Sequence, residues 1–183
     1  MPLSYETWQG QMTLQLPEPI IYVDSREQRP WTFSLPTVVG TLGTGDYSLA
    51  GCDNWISIER KSLNDLIGSL TTGRDRFTKE LERGRRIQNF SVIVEALYVD
   101  ILEHSYRSDM NPRAAWGSII ALQERYGVPF YFAGDSVIAG QLCESILVRW
   151  WTEHLRVFNA VYHAAAGQAY WGDCHDYTQK QCL

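Results

Sequence analysis

The stretch Ile58-Glu59-Arg60-Lys61-Ser62-Leu63-Asn64-Asp65 turns from one secondary structure into another within eight residues. The pattern predicts a strand over 55–61, in which residues two apart share a face. Glu59 and Lys61 therefore project together, and Arg60 points to the opposite face. Ser62 and Asp65 then have the spacing of a helix capping box, which predicts a helix from Ser62 to about residue 70. The charged residues thus lie at a strand-to-helix junction.

The residues before this stretch predict the other arm of a hairpin. Tyr47 begins a short strand, 47–50, and the turn 51–54 joins it to the strand 55–61. Asp46 stands at the start of that arm, after the flexible glycines of the preceding turn. Its carboxylate can therefore lie beside that of Glu59.

A buried strand is predicted further upstream, where the apolar run 20–23 ends abruptly in polar residues. Asp24 and Glu27 follow this strand and can add carboxylate oxygens to the same place. Arg26 lies between them, and a plain surface ion pair of Arg26 with Glu27 is the simpler interpretation.

The order of elements indicates the fold class. Downstream of residue 70 the pattern predicts helices over 74–88, 113–126 and 136 to at least 154, and strands over 91–97 and 129–132. Strand, hairpin, two helices, strand, helix, strand and helix make an α/β protein. Its mixed central β-sheet is antiparallel first and parallel afterwards, with helices flanking it.

Composition limits the class of protein. The chain has 183 residues, 45% hydrophobic and 20% charged, which suits one globular domain with a short appendage. We expect no membrane-spanning segment and no signal peptide, because no apolar run is long enough. Four cysteines stand far apart, as in reduced thiols, so the predicted location is cytoplasmic, or nucleoid-associated in a bacterium or phage.

Charge is distributed unevenly along the chain. Residues 59–86 contain eight basic and five acidic side chains, a net charge of +3 in a chain of −5. A solvated helix face explains this segment, and so does an electropositive strip for phosphate. The arginines proposed for DNA contact are Arg74, Arg76, Arg83 and Arg86.

Clustered carboxylates beside a lysine predict a particular chemistry. Carboxylates repel one another unless a cation neutralises them, and an all-oxygen cluster selects a hard ion such as Mg²⁺ or Mn²⁺. Lys61 could orient or deprotonate a water and offset charge on a phosphorane. These parts describe metal-dependent phosphodiester hydrolysis. The simpler interpretations are a solvated strand end for Glu59 to Lys61 and a helix cap for Asp65.

Taken together, these residues resemble the XPF nuclease family of structure-specific endonucleases, whose hallmark reads GD, a spacer, ERK, three residues and D. Here the hallmark is Gly45-Asp46, then Glu59-Arg60-Lys61, then Asp65. The resemblance is strong over 20–97 and implies a restriction-endonuclease-like fold of the PD-(D/E)xK kind. It implies metal-site acids at Asp24, Glu27, Asp46 and Glu59. It also implies a catalytic lysine at Lys61, with Asp46 and Glu59 catalytic beside it, and motif or supporting residues at Arg26, Arg60 and Asp65.

The resemblance also sets expectations for the whole chain. We expect an N-terminal arm over 1–19, a nuclease domain over 20–155 and a helical, aromatic tail over 156–183, with no helix-hairpin-helix tandem in that tail. The expected function is Mg²⁺-dependent DNA cleavage in branched, flap or junction DNA, in repair or recombination, by a homodimer without a nucleotide cofactor. The alternatives are a non-catalytic DNA-binding or scaffold subunit and a sequence-specific restriction-type nuclease.

Overall fold

The computed structural model describes residues 18–165, with side-chain surroundings as far as 161, and two short strands nearer the N-terminus. These are β1 (Thr7–Trp8) and β2 (Gln11–Met12), which pair antiparallel. The arm predicted to be irregular therefore contains a small ribbon, and the rest of it up to residue 17 lies outside the described residues. The chain divides into two compact units, Pro19–Val148 and a smaller one with residues 1–18 and 149–183.

The larger unit holds the central sheet and its helices. In chain order the elements are β3 (Ile21–Asp24), β4 (Thr37–Gly40), β5 (Tyr47–Leu49), β6 (Ile56–Ser62), α1 (Leu63–Leu70), α2 (Arg74–Gly84), β7 (Asn89–Glu95), α3 (Tyr98–Leu102), α4 (Pro112–Tyr126), β8 (Phe130–Phe132) and α5 (Ser136–Ala165). Residues of α5 from 149 onward are counted with the smaller unit.

The six strands form one mixed sheet in the order β4-β3-β5-β6-β7-β8. β5 pairs antiparallel with both β3 and β6, whereas β6, β7 and β8 run parallel to one another. β4 adds a third parallel pair, with β3, at the other edge of the sheet. The predicted α/β class is confirmed, and so is the change from an antiparallel to a parallel part.

Two elements, the end of one helix and the bounds of β7 differ from the sequence expectation. β7 spans Asn89–Glu95 instead of the predicted 91–97. No strand is predicted at β4, because Pro36 and Gly40 are turn residues at its two ends, yet its β-branched residues pair with β3. α3 has only five residues, and the carboxylate of Asp100 accepts the hydrogen bond of Leu97 N–H at its start, 2.7 Å away. α2 stops at Gly84, short of the predicted residue 88.

Alternation along the strands sorts the side chains onto two faces of the sheet. On β7, Phe90, Val92 and Val94 join a core with the buried residues of α1, α2 and α4. Ile93 is also fully buried but points to the opposite face, as strand geometry requires. The centre of β7, Val92-Ile93-Val94, is apolar on both faces, as expected of a strand covered on both sides.

The helix α5 is continuous although Gly140 interrupts its apolar pattern. A Cβ at Gly140 would lie 3.1 Å from the Cβ of Trp31, so the glycine permits close approach of the helix to the segment after β3. Ala139, Cys143 and Leu147, spaced four apart, form the fully buried stripe of this part of α5.

Candidate active site

The loop before β5 brings Asp46 against β6. The backbone N–H of Asp46 donates to the carbonyl of Ile58 at 2.8 Å, and its carboxylate accepts from the N–H of Arg60 at 2.8 Å. Gly45 precedes it with φ of +82°, and a Cβ there would lie 2.2 Å from the hydroxyl of Ser57. Glycine is therefore the residue that this approach requires.

Glu59 and Lys61 project together from β6, as the strand alternation predicted. The carboxylate of Glu59 is only 5% exposed, and it accepts a hydrogen bond from the ammonium of Lys61. The same ammonium lies 3.6 Å from a carboxylate oxygen of Glu80, on α2. It also lies 5.2 Å from the centre of the Phe77 ring. The lysine is thus enclosed by groups from two elements.

Burial and mutual repulsion set the protonation of this cluster. Burial raises the pKa of Asp46 to about 6, and burial together with the nearby Asp46 raises the pKa of Glu59 well above its ordinary value. Burial would lower the pKa of Lys61, but Glu59 and Glu80 outweigh it and raise that pKa. Lys61 is therefore a cation at neutral pH, suited to orienting a water and offsetting negative charge rather than accepting a proton.

These side chains open onto one cleft of about 390 Å³ between β6 and the helices α1 and α2. Its lining combines acids, cations and small residues: Glu27, Asp46, Glu59, Arg60, Lys61, Asn64, Asp65, Gly68, Ser69, Thr72, Gly73 and Arg76. The small residues of α1 and the turn after it leave open space in front of the acids.

Asp24 is placed differently from the other predicted acids. It does not line the cleft, and its carboxylate is 1% exposed. One oxygen accepts from the backbone and side chain of Arg26, at 2.8 and 2.7 Å, and the other accepts from Leu42 N–H, at 2.7 Å. Hydrogen bonds from Arg26 lower the pKa of Asp24 despite its burial. Because its oxygens are occupied, Asp24 holds the segment around Leu42 rather than facing the cleft.

Arg60 forms a network on the face of β6 opposite Glu59. Its guanidinium donates to both oxygens of Glu95, at 2.9 and 3.1 Å, and to Glu27 at 3.0 Å. The indole of Trp31 lies 5.5 Å from this guanidinium and donates to Glu95 at 2.6 Å. Arg60 therefore ties Glu27, at the cleft, to the end of β7.

The remaining predicted residues lie around the cleft. Asp65 accepts from the hydroxyl of Ser62 at 2.6 Å, and Ser62 accepts from Asp65 N–H at 3.2 Å, which is the capping arrangement expected at the start of α1. Arg26 is 68% exposed and pairs with Asp24. Of the four arginines proposed for DNA contact, only Arg76 lines the cleft, while Arg74, Arg83 and Arg86 are exposed elsewhere.

Sequence reasoning missed Glu80 and Glu95. Both have a signal that could have found them. Glu80 follows the core residue Phe77 by three positions, so it lies on the same side of α2. Glu95 is the first polar residue after the apolar run of β7, and the parallel register places it opposite Ser62. A polar residue at the carboxyl end of a central parallel strand is a candidate for the site.

The donor set at the cleft suits a hard divalent cation. Among residues with described side chains, no three His, Cys, Asp or Glu groups are arranged as a ready-made metal cage. A magnesium site, however, needs only one or two protein carboxylates, the rest being waters and substrate phosphate. Glu59 is buried and Asp46 is half-buried, and loss of hydration, with repulsion from nearby carboxylates, raises the pKa of each. A divalent cation would favour the ionised form of both carboxylates.

Two acids and a lysine lie at a strand-to-helix junction of a mixed sheet. This is the arrangement of a nuclease domain of the restriction-endonuclease-like class. The ERCC4 domain model matches residues 23–141, and the chain belongs to this family. The chain is similar to XPF from Aeropyrum pernix in complex with DNA, with 28% identity and a TM-score of 0.60 over 74% of this chain and 66% of that one.

A second structure of XPF from Aeropyrum pernix gives 27% identity and a TM-score of 0.58 over 70% of this chain and 60% of that one. The chain thus spans less than two thirds of the length of these relatives. No curated protein matches it. The predicted resemblance to XPF nucleases is confirmed, and with it the nuclease-domain fold.

The described part of the chain contains no helix with both the length and the apolar character needed to cross a membrane.

Proposed function

We propose that this chain is a divalent-metal-dependent endonuclease that hydrolyses phosphodiester bonds in branched, flap or junction DNA. The observation that carries the proposal is the buried Glu59 with the half-buried Asp46 at an open cleft, and Lys61 bonded to Glu59. Family membership and the similarity to a DNA-bound XPF support DNA as the substrate.

In this proposal Asp46 and Glu59 hold Mg²⁺ or Mn²⁺, and Glu27, at the same cleft, is the third acid. A bound divalent cation would stabilise charge on the phosphoryl oxygens and favour the ionised form of a water. Asp24 is left out of this ligand set because its oxygens are already occupied.

The protein's own groups supply the remaining steps. Lys61 orients the attacking water and offsets the negative charge that develops on the phosphorane. Arg76, at the edge of the cleft, binds a backbone phosphate, and Arg74, Arg83 and Arg86 add charge along the duplex. The Arg60 network with Glu95 keeps Glu27 facing the cleft. Binding of this kind depends on the charge and shape of the DNA backbone rather than on base sequence.

The test compares cleavage of a flap, a Holliday junction and plain duplex of the same sequence, with Mg²⁺ or with EDTA. We expect metal-dependent cutting of a branched substrate, lost in Glu59→Gln. Metal-dependent cutting at one sequence in every substrate would instead support the restriction-type alternative. Tight binding without cutting in Mg²⁺ or Mn²⁺ would support the non-catalytic scaffold.

The proposal extends to the domain plan and assembly. We assign nuclease function to residues 20–155, flanked by 1–19 and 156–183, with repair or recombination in the cytoplasm or nucleoid as the setting and no nucleotide cofactor.

A homodimer is expected because α5 carries Val157, Phe158 and Val161 at 63%, 55% and 62% exposure, an apolar strip that a second copy could cover. Leu147, earlier on the same helix, is fully buried and is not available for such a contact.

Light scattering tests this assembly. We expect the mass of a dimer at tens of micromolar, and the mass of a monomer for Phe158→Glu. A monomeric parent under those conditions would contradict the homodimer.

A further inference from the structure

Glu80 lies outside the hallmark residues, yet it faces the lysine of the site. Its carboxylate is 3.6 Å from the Lys61 ammonium, and the two side chains are 21% and 14% exposed. Phe77, three residues earlier on α2, has its ring 5.2 Å from the same ammonium. One face of one helix therefore gives Lys61 both an anion and an aromatic surface.

The position of Glu80 is fixed by the packing of its helix. Phe77 and Leu81 are 2% and 0% exposed and belong to the main core. These two buried neighbours anchor the turn of α2 that carries Glu80. At 3.6 Å its oxygen attracts the ammonium without making a short hydrogen bond, so the protons of Lys61 stay available to a water or a phosphate oxygen.

Glu59 has two roles that compete for its oxygens. In the proposed mechanism it binds a divalent cation, yet here it also accepts the hydrogen bond of Lys61. Lysine is a flexible four-carbon chain, and an ammonium released by Glu59 would lose its orientation unless another group held it. Glu80 is the second carboxylate in reach among the described residues, and it lies on a separate element.

We propose that Glu80 is the positioning residue for Lys61: it retains the ammonium over the Phe77 ring when Glu59 turns to the cation. This inference rests on the proposed nuclease function. Glu80 touches neither the reacting atoms nor the cation in this proposal. The role assigned to Glu80 in cleavage is its contact with Lys61, although its charge also acts at longer range on Asp46 and Glu59.

The experiment is a double-mutant cycle of Glu80→Gln with Lys61→Met, measured by single-turnover cleavage of a flap substrate at saturating protein and Mg²⁺. Misplacement of a group by about 1 Å costs up to about 100-fold, so we expect Glu80→Gln alone to slow cleavage on the order of 10-fold to 100-fold. In the Lys61→Met background we expect no further loss. Glu80→Asp, which keeps the charge, should recover part of the rate.

The matched control is Glu82→Gln, which removes the same charge from an exposed position on the same helix and should leave the rate unchanged. Flap affinity in EDTA and the Mg²⁺ concentration for half-maximal rate should be unaltered by Glu80→Gln. A loss that persists in the Lys61→Met background, or a raised Mg²⁺ requirement, would overturn the proposal, because Glu80 would then act on the cation or the fold.

A second measurement does not depend on cleavage. Thermal melting in EDTA reports the contact between Glu80 and Lys61 directly. We compare the parent, both single variants and the double variant, and expect the shifts in Tm to be non-additive. Additive shifts would overturn the inference whatever the activity. A parent that cuts no substrate would contradict the proposed function instead, so the two failures are distinguishable.

Discussion

At the scale of single residues, Asp46 shows how the site opposes stability when no cation is bound. Burial raises its pKa to about 6 from the ordinary 3.8. The folded carboxyl therefore binds its proton more tightly than the unfolded one. The resulting contribution to the free energy of unfolding is fully present below about pH 4 and is lost as the pH rises through about 6.

Asp46→Asn removes the titrating carboxyl group, and with it the loss of folding stability that the parent shows as the pH rises through about 6. In EDTA near pH 7.5 we expect the variant to be more stable than the parent by about 1–3 kcal/mol, and near pH 4 the difference should vanish. Urea unfolding at the two pH values measures both. A parent that is the more stable of the two near pH 7.5 would contradict the raised pKa of Asp46. Cleavage by the variant should be lost at either pH.

Lys61 is expected to contribute to chemistry more than to binding. Lys61→Ala should bind flap DNA with nearly unchanged affinity in EDTA and slow single-turnover cleavage by about 10²-fold to 10⁴-fold. Arg125→Ala is the control, because it removes a cation from an exposed position on α4. If Lys61→Ala remains folded and cuts as fast as the parent, the site has been placed wrongly.

Local rules were enough to bring Asp46, Glu59 and Lys61 together, since a hairpin and a two-residue period place them on one face. These rules did not predict the hydrogen bonds of Asp24, because the guanidinium of Arg26 could have pointed to solvent instead of donating to that carboxylate. The positions of Glu80 and Glu95 relative to the site depend on how α2 and β7 pack against β6. That packing is a long-range property that no local pattern fixes.

At the scale of elements, α2 approaches β7 through a glycine. A Cβ on Gly84 would lie 2.2 Å from the Phe90 ring, which belongs to the core. Gly84→Ala should therefore lower the free energy of unfolding by about 1–3 kcal/mol, through overpacking. Gly117, on the exposed side of α4, has nothing within 4 Å of such a Cβ. Gly117→Ala should raise stability by up to about 1 kcal/mol.

Urea unfolding of the two alanine variants beside the parent measures this contrast. Equal effects on stability would mean that α2 does not pack against Phe90 as described.

The elements that sequence analysis missed are short or masked by turn residues. β4 is recognisable only once β3 lies beside it, because Pro36 and Gly40 mark its ends as turns. α3 is five residues long, too short for a helical period to appear. By contrast, α1 begins where its capping residues predict, because a cap is a local hydrogen bond.

At the scale of the whole molecule, the net charge of −5 means that the proposed DNA binding has to use a local basic surface. We expect affinity for a labelled flap in EDTA to fall steeply between about 50 and 200 mM salt, because each phosphate contact releases counterions. Arg76→Ala should reduce the slope of log Kd against log salt by about 1. Fluorescence anisotropy measures both slopes. A flat response would indicate stacking or base contacts in place of phosphate contacts.

The hairpin of β5 and β6 also has a consequence for the time when the chain is being made. Asp46 and Glu59 leave the ribosome together with Arg60 and Lys61, whereas Glu95, the partner of Arg60, follows 35 residues later. The hairpin carries the acids Asp46, Asp53 and Glu59 and the bases Arg60 and Lys61, so two of its three negative charges are balanced within the hairpin itself. Asp46 and Glu59, which repel each other in the folded cleft, can therefore come together early in synthesis. Arg60 and Lys61 act as their counterions until the remaining strands of the sheet have been synthesised.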